Sequence, residues 1–233
     1  MNKKETQLQQ AVAQLRTRLL VMCAAVDIAL EEACGALASG NIGKASAVVD
    51  NDESINDLEN EIDDMALALL VRGQPMAQDL RFVVAALRMV NDLERIGDEA
   101  ATIAERTLIM RDTLPEPVMA AVRPLLDTAC ALYKDAVEAF RTADAEKALR
   151  IRQSEDDSSQ MEVRALHAIM EHFYFSESKD KSGLSYMGMH GILICRSLNR
   201  VCRRASNLAE HTYFVARGIN IKHTTPSSSQ EES

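Results

Sequence analysis

The chain has 233 residues, of which 47% are hydrophobic and 26% charged, and its formal net charge is −9. This length suffices for one large domain or two small ones, and the hydrophobic share is enough for a substantial core. The negative charge argues against a nucleic-acid-binding surface, which needs a concentrated basic face. No apolar run reaches the roughly 18 residues that a membrane-spanning helix needs.

The cysteines and the first residues of the chain indicate a reducing, cytoplasmic environment. The opening residues lack the apolar segment of a secretory signal. The cysteine count is odd, and no two cysteines form a C-x-x-C pair, so we expect reduced thiols that pack as small hydrophobic side chains. The cysteines are Cys23, Cys34, Cys130, Cys195 and Cys202.

The composition favours helices, since Leu, Ala, Met, Arg and Glu dominate while Gly and Pro are sparse. Apolar periodicity and turn signals predict six long helices. They cover residues 5–39, 44–71, 75–111, 118–141, 145–174 and 184–217. The residues from 223 to 233 are polar and rich in Ser, and we expect them to be disordered.

The two halves of the chain repeat each other. Val48 corresponds to Ile151 at an offset of 103 residues, and Leu93 corresponds to Leu198 at an offset of 105. We therefore predict a first three-helix repeat over residues 1–114, a second over 115–222 and a tail over 223–233. Because long helices joined by short turns pack as antiparallel bundles, the predicted fold class is all-α, with two antiparallel three-helix bundles in tandem.

A polar ridge runs along the third predicted helix. Asn91, Glu94, Asp98 and Glu105 recur at spacings of three, four and seven residues, which stacks them on one side of a helix. Two carboxylates at i and i+4 repel each other by roughly 0.2–0.5 kcal/mol on an exposed helix. A cation bound between them would turn this repulsion into attraction.

The second predicted helix carries an acidic ridge of its own, beside its apolar seam. It consists of Asp50, Glu53, Asp57, Glu61 and Asp64. Asp57 precedes Gln74 by the same number of residues as Asn91 follows it, so antiparallel packing brings the two ridges to a similar height. Oxygen ligands of this kind suit hard cations such as Mg²⁺, Ca²⁺, Mn²⁺ and iron. The alternative interpretation is a solvated acidic face.

Two motifs stand out: the turn sequence QPMAQDLR at 74–81, and DLERIGD at 92–98, followed by IAE at 103–105. Combined with the tandem repeat, they resemble the PhoU family over roughly residues 5–220. The resemblance implies two three-helix bundles related by a pseudo-twofold axis, with surface metal clusters on E/D-x-x-x-D motifs. It also implies a non-enzymatic, negative regulator that couples a phosphate ABC importer to a sensor histidine kinase and represses the phosphate regulon when phosphate is plentiful.

The partners implied by the resemblance are the ATPase subunit of the importer and the kinase, both at the inner face of the membrane. A homodimer is also expected, with contact to the membrane only through the partners. Residue by residue, Glu94 and Asp98 match the metal motif, and Asp57 and Glu61 match the acidic partner helix. The expected cofactor is a hard cation, and the ligand types do not distinguish iron, manganese, magnesium and zinc.

The second repeat departs from this pattern. Asn199 and Arg203 stand where the first repeat has Glu94 and Asp98, and Gln160 and Arg164 stand where it has Asp57 and Glu61. Since a guanidinium group is always protonated, we expect the second repeat to bind no metal. Arg203 is instead expected to pair with Glu210 or a neighbouring acid.

Two other functions are compatible with the residues alone. The first is a carboxylate-bridged di-metal enzyme built in a helical bundle, although no His lies three residues after a Glu, as the Glu-x-x-His motif of such enzymes requires. The second is a helical scaffold without a ligand.

Overall fold

The computed structural model describes residues 3–153, 155–174 and 181–221, and within these ranges every regular element is helical. The all-α prediction is therefore confirmed, while the predicted disordered tail lies outside the described residues. The helices are α1 (Lys3–Ser39), α2 (Ile42–Asn51), α3 (Glu53–Ala68), α4 (Ala77–Met110), α5 (Glu116–Thr142), α6 (Ala145–Gln153), α7 (Glu155–Phe173) and α8 (Lys181–Arg217).

The second predicted helix, 44–71, differs from the structure in its bounds and its continuity. It begins earlier because Asn41 caps α2, with Oδ1 accepting a hydrogen bond from the Lys44 amide at 3.1 Å. It is interrupted at Asp52, next to Asn51, whose side-chain amide donates to the Ala47 carbonyl at 2.7 Å. Such local bonds compete with the helical ladder.

The next turn also differs from its prediction. After α3 the chain makes one π-helical turn over Leu69–Gly73 and then reverses at Gln74, whose φ is 48°. The following helix begins at Ala77 rather than at Pro75. The fifth predicted helix, 145–174, is likewise found as α6 and α7, with residue 154 between them outside the described ranges.

Helices α4 and α8 pack against each other along their lengths and form the larger contact between the two halves, which also meet where α1 packs on α5. In the first half, α1, α2 and α3 pack on α4, and in the second half α5, α6 and α7 pack on α8. Hydrophobic side chains from both halves form one continuous core. None of the helices within the described ranges combines the length and the apolarity required to cross a membrane.

A buried carboxylate joins the two halves. Asp92 of α4 is only 5% exposed and accepts hydrogen bonds from Arg204 Nη1 at 2.7 Å and Asn207 Nδ2 at 3.2 Å, both on α8. His211 Nε2 lies 3.2 Å from its other oxygen. Seven residues further along α4, Glu99 pairs with Arg200 Nη2 at 2.8 Å. Since the later residue of α4 meets the earlier residue of α8, the two helices are antiparallel.

The surroundings of Asp92 favour its charged form. Burial alone would raise the pKa of this carboxyl, but the contacts with His211, Arg204 and Asn207 together hold the pKa below its ordinary value. The folded protein therefore holds the Asp92 proton more weakly than the unfolded chain does. The resulting stabilisation is present above the unfolded pKa and is lost as the pH falls through the folded pKa.

We expect Asp92→Ala to lower the free energy of unfolding by about 1–3 kcal/mol, because it leaves partly buried donors on α8 without an acceptor. Urea unfolding near neutral pH measures this loss. The control is Glu146→Ala, which removes the exposed ion pair with Arg217 and should change stability by less than about 1 kcal/mol. Equal losses in the two variants would contradict a structural role for Asp92.

Candidate metal centre

Four carboxylates, on α4 and on the facing α2–α3 segment, act on one another through their charges, and we call them the acidic cluster. They are Asp52, Glu59, Glu94 and Asp98. The charges of Asp98 and Glu59 both act on Glu94, and the charge of Asp98 also acts on Asp52. Three separate parts of the sequence therefore contribute negative charge to one place.

Glu94 is the most perturbed member of the acidic cluster. Its side chain is only 15% exposed. Burial, followed by the neighbouring Asp98 carboxylate, raises its pKa from the ordinary 4.5 to about 7, although Arg95 opposes the shift. Burial also raises the pKa of Asp52, to which the charge of Asp98 adds. It likewise raises the pKa of Glu59, to which the charge of Asp63 and then that of Asp98 add, against Arg95.

The basic residue beside the acidic cluster neutralises it only in part. Arg95 Nε lies 3.4 Å from Glu94 Oε2, and Arg95 Nη1 lies 3.4 Å from Asp98 Oδ2. The first contact is not aligned as a hydrogen bond, and Glu94 Oε2, though buried, accepts none from the described part of the chain. A buried carboxylate oxygen without a donor is costly, and a bound cation would relieve that cost.

Two of the four residues predicted as metal ligands lie elsewhere on α3. Glu61 pairs with Arg18 of α1, and Asp57 is exposed. The cause is helical register: Ile55 and Ile62 are buried, and Glu59, spaced four and three residues from them, lies on the same side. Asp57 and Glu61 are rotated away from α4.

Sequence reasoning missed Glu59 and Asp52 because it took the buried side of this helix to be wholly apolar. The signal for Glu59 was present in its spacing from Ile55 and Ile62. Asp52 carried no such signal, since its interaction with Asp98 depends on how the α2–α3 junction packs on α4.

The negative charge of the acidic cluster suits a cation, but its side chains do not by themselves form a complete set of metal ligands. Its carboxylates repel one another, and a buried oxygen of Glu94 lacks a donor. Yet among residues 3–153, 155–174 and 181–221, no three side chains of His, Cys, Asp or Glu are grouped so that they could hold one metal ion. Glu94 and Asp98 are the ligand candidates, and the charge of Glu59 acts on Glu94 from the facing helix. Further ligands would be water or groups of a partner protein.

At the equivalent place in the second repeat, the carboxylate accepts a hydrogen bond from within the same repeat. Glu162 stands where the first repeat has Glu59, and it accepts a hydrogen bond from Asn199 Nδ2 at 2.6 Å. Asn199, the counterpart of Glu94, in turn accepts one from Ser158 Oγ at 3.1 Å. A neutral amide donor thus stands where the first repeat has a second negative charge.

The other predicted features of the second repeat are placed as follows. The sequence predicted that Glu210 or a neighbouring acid pairs with Arg203. In the structure, Glu210 forms an ion pair with Nε of Arg152 on α6 at 2.5 Å. Arg203 itself is exposed, as are Gln160 and Arg164. The two repeats therefore share a backbone plan but differ in the charge of their corresponding surfaces.

Comparison with known proteins gives matches over most of the chain. Residues 19–107 and 122–212 match a family model described as the PhoU domain. A protein from Pseudomonas putida named phosphate-specific transport system accessory protein PhoU homolog is 32% identical over 211 residues, which cover 90% of this chain and 80% of that protein. A homolog of the same name from Pseudomonas aeruginosa is 30% identical over 219 residues, covering 94% and 88% of the two chains.

Solved structures are similar in fold. The crystal structure of PhoU from Pseudomonas aeruginosa aligns with a TM-score of 0.83 and 30% identity, over 91% of this chain and 99% of that chain. The phosphate transport system regulatory protein PhoU from Streptococcus pneumoniae aligns with a TM-score of 0.79 over 91% and 98%, at 23% identity, and at that identity the likeness is one of fold.

The raised pKa of Glu94 predicts a specific pH dependence in the presence of a chelator. The folded protein binds this proton more tightly than the unfolded chain, so the contribution of Glu94 to stability falls as the pH rises from 4.5 to about 7. We expect Glu94→Gln to remove a large part of that decline, because its side chain is neutral at every pH.

Thermal unfolding followed by circular dichroism between about pH 5 and pH 8 measures this effect. Glu61→Gln is the control, since Glu61 lies on α3 but pairs with Arg18, and it should keep the parental dependence. If Glu94→Gln declines with pH as steeply as the parent does, Glu94 is not the group responsible.

Proposed function

The chain belongs to the PhoU family, and from this premise we propose that it is a non-enzymatic regulator of phosphate uptake and of the response to phosphate starvation. The observation that carries the proposal is the family match over both repeats, supported by relatives that are named phosphate-specific transport system accessory proteins. "Accessory" describes a protein that acts on a transport system rather than one that performs the transport itself.

The finer proposal is an adaptor role. The protein contacts the ATPase subunit of a phosphate ABC importer and a sensor histidine kinase at the cytoplasmic face of the membrane, and it holds the kinase in its signal-off state when phosphate is plentiful. It does so as a homodimer. The support is the family resemblance of the turn at 74–81 and of the helix at 92–98, so this step is an analogy from family to function.

The acidic cluster is proposed as the place where a hard cation binds. Glu94 and Asp98 are the proposed ligands, and Glu59 contributes charge from α3. A cation there supplies positive charge between α3 and α4, and the carboxylates then hold the two helices together instead of repelling them. The support is the shared negative charge and the buried Oε2 of Glu94, which accepts no hydrogen bond from the described part of the chain.

Metal content of the purified full-length protein tests the cluster. We expect Glu94→Gln combined with Asp98→Asn to lose nearly all bound metal, and Glu59→Gln to weaken binding. Glu61→Gln should bind as the parent does, because Glu61 is engaged with Arg18.

A matched variant in the second repeat completes this test. Glu162→Gln alters the counterpart of Glu59, which already has a donor in Asn199, and it should keep parental metal content. Elemental analysis after dialysis against manganese or iron provides the stoichiometry. Retention of half or more of the metal in the Glu94→Gln/Asp98→Asn variant would contradict binding at the acidic cluster.

The regulatory role predicts a phenotype in the host cell. Deletion of the gene should raise expression of a phosphate-starvation reporter even when phosphate is abundant, and a plasmid copy should restore repression. Reporter activity in high and low phosphate measures this. Unchanged output in high phosphate, in a strain without a second copy of the gene, would contradict the proposed function whatever the metal content.

A further inference from the structure

Two cysteines from different repeats face each other where α1 packs against α5. Cys34 lies on α1, one helical turn from Glu31, and Cys130 lies on α5, one turn from Lys134, and Glu31 and Lys134 form an ion pair where the two helices are in contact. The helices are fixed at this place by one further contact, in which Tyr133 donates its hydroxyl to the Cys23 carbonyl at 2.8 Å.

The two thiols differ in their access to solvent. Cys34 is 3% exposed, whereas Cys130 is only partly buried. Lys134 follows Cys130 by one helical turn and places an ammonium group on the same side of α5. This is the arrangement of a reachable thiol beside a positive charge, with a second, sheltered thiol behind it.

The pKa values of the two thiols differ in the direction that also favours Cys130 as the reactive one. The interaction with Cys34 lowers the pKa of Cys130 and the charge of Lys134 lowers it further, and together they outweigh burial and the charges of Glu31 and Asp127, which raise it. The same interaction, together with burial, raises the pKa of Cys34. Since the thiolate is the nucleophile, Cys130 is the thiol that an oxidant reaches first.

The remaining cysteines serve as internal comparisons. Cys23, Cys195 and Cys202 are at most 1% exposed. Burial raises the pKa of each to about 12, and thiols of this kind are unreactive at neutral pH.

We propose that Cys34 and Cys130 form a redox-sensitive pair, which peroxides oxidise to a disulfide that links the first repeat to the second. The pair would be reduced under ordinary intracellular conditions, and its oxidation would be transient. This inference is independent of the regulatory role proposed above.

The reaction has two balanced steps. The Cys130 thiolate attacks one oxygen of hydrogen peroxide, an S–O bond forms, the O–O bond breaks, and the departing hydroxide takes up a proton to give water. The Cys34 sulfur then attacks the Cys130 sulfur, the S–S bond forms, and the S–O bond breaks. The second hydroxide leaves as water with the Cys34 proton. Two electrons pass from sulfur to peroxide in total.

A disulfide here would act as a staple between the outer helices of the two halves. The cross-link closes a long loop, because Cys34 and Cys130 lie far apart in sequence, and closing a long loop restricts the unfolded chain strongly. We therefore expect the oxidised protein to unfold at a higher temperature than the reduced protein.

The test is to treat reduced, full-length protein with hydrogen peroxide, block the remaining thiols and digest it without a reductant. Mass spectrometry should identify one cross-linked peptide pair that joins Cys34 to Cys130, and dithiothreitol should reverse the link. Cys130→Ser should abolish the link. Cys34→Ser should leave Cys130 as a sulfenic acid, which dimedone traps. The matched control, Cys195→Ser, should oxidise as the parent does.

A further variant tests the charge beside Cys130. Lys134→Gln should slow oxidation several-fold, while Lys147→Gln, which removes the ion pair between α6 and Asp135 of α5, should leave the rate unchanged. Circular dichroism confirms that each variant is folded, and the parent alone tests the pairing. A link from Cys130 to Cys202, a sulfenic acid on Cys130 of the parent without a disulfide, or no oxidation at all would each overturn the proposal.

Discussion

The antiparallel contact of α4 with α8 is the constraint on which the rest of the structure depends. It is built around Asp92, a buried carboxylate whose partners all lie on the other half of the chain. A buried charge is tolerated only where it is paired and hydrogen-bonded. Asp92 therefore fixes not only that the two halves meet but also the register in which they meet. The register also sets the positions of the helices that pack on α4 and on α8.

The fold could be predicted from the sequence because its signals are local and repeated. Apolar periodicity places the long helices, and the repeat offset relates Val48 to Ile151 and Leu93 to Leu198. The helix interruption at Asp52 could not be predicted in the same way. It coincides with a side-chain bond from Asn51 to the Ala47 carbonyl, but Asn60 makes the same bond to Asn56 inside the uninterrupted α3, so this local signal does not mark a break by itself.

Spacing within one helix could be read from the sequence, whereas contacts between two helices could not. Glu94 and Asp98 lie together on α4 because one helix carries both, so spacing alone is sufficient. Which residues face them across the helix pair depends on the rotation of α3 about its axis. A polar residue on the buried side, Glu59, contradicts the assumption of an apolar seam, and such local inconsistencies are expected at functional sites. At the corresponding position in the second repeat, the neutral side chain of Asn199 donates a hydrogen bond to Glu162, so two carboxylates do not face each other there.

The unequal distribution of charge across the α4–α8 contact also determines which copies of a repeat can recognise each other. Glu99 of the first repeat corresponds to Arg204 of the second, and Asp92 corresponds to Ser197. If two second repeats met through α8 in the same antiparallel manner, Arg204 of each would face Arg200 of the other, with no carboxylate from α4 between them. The surface that joins the halves so firmly is thus self-repelling in the second half alone. The contact therefore pairs a first repeat with a second repeat and disfavours the pairing of two second repeats.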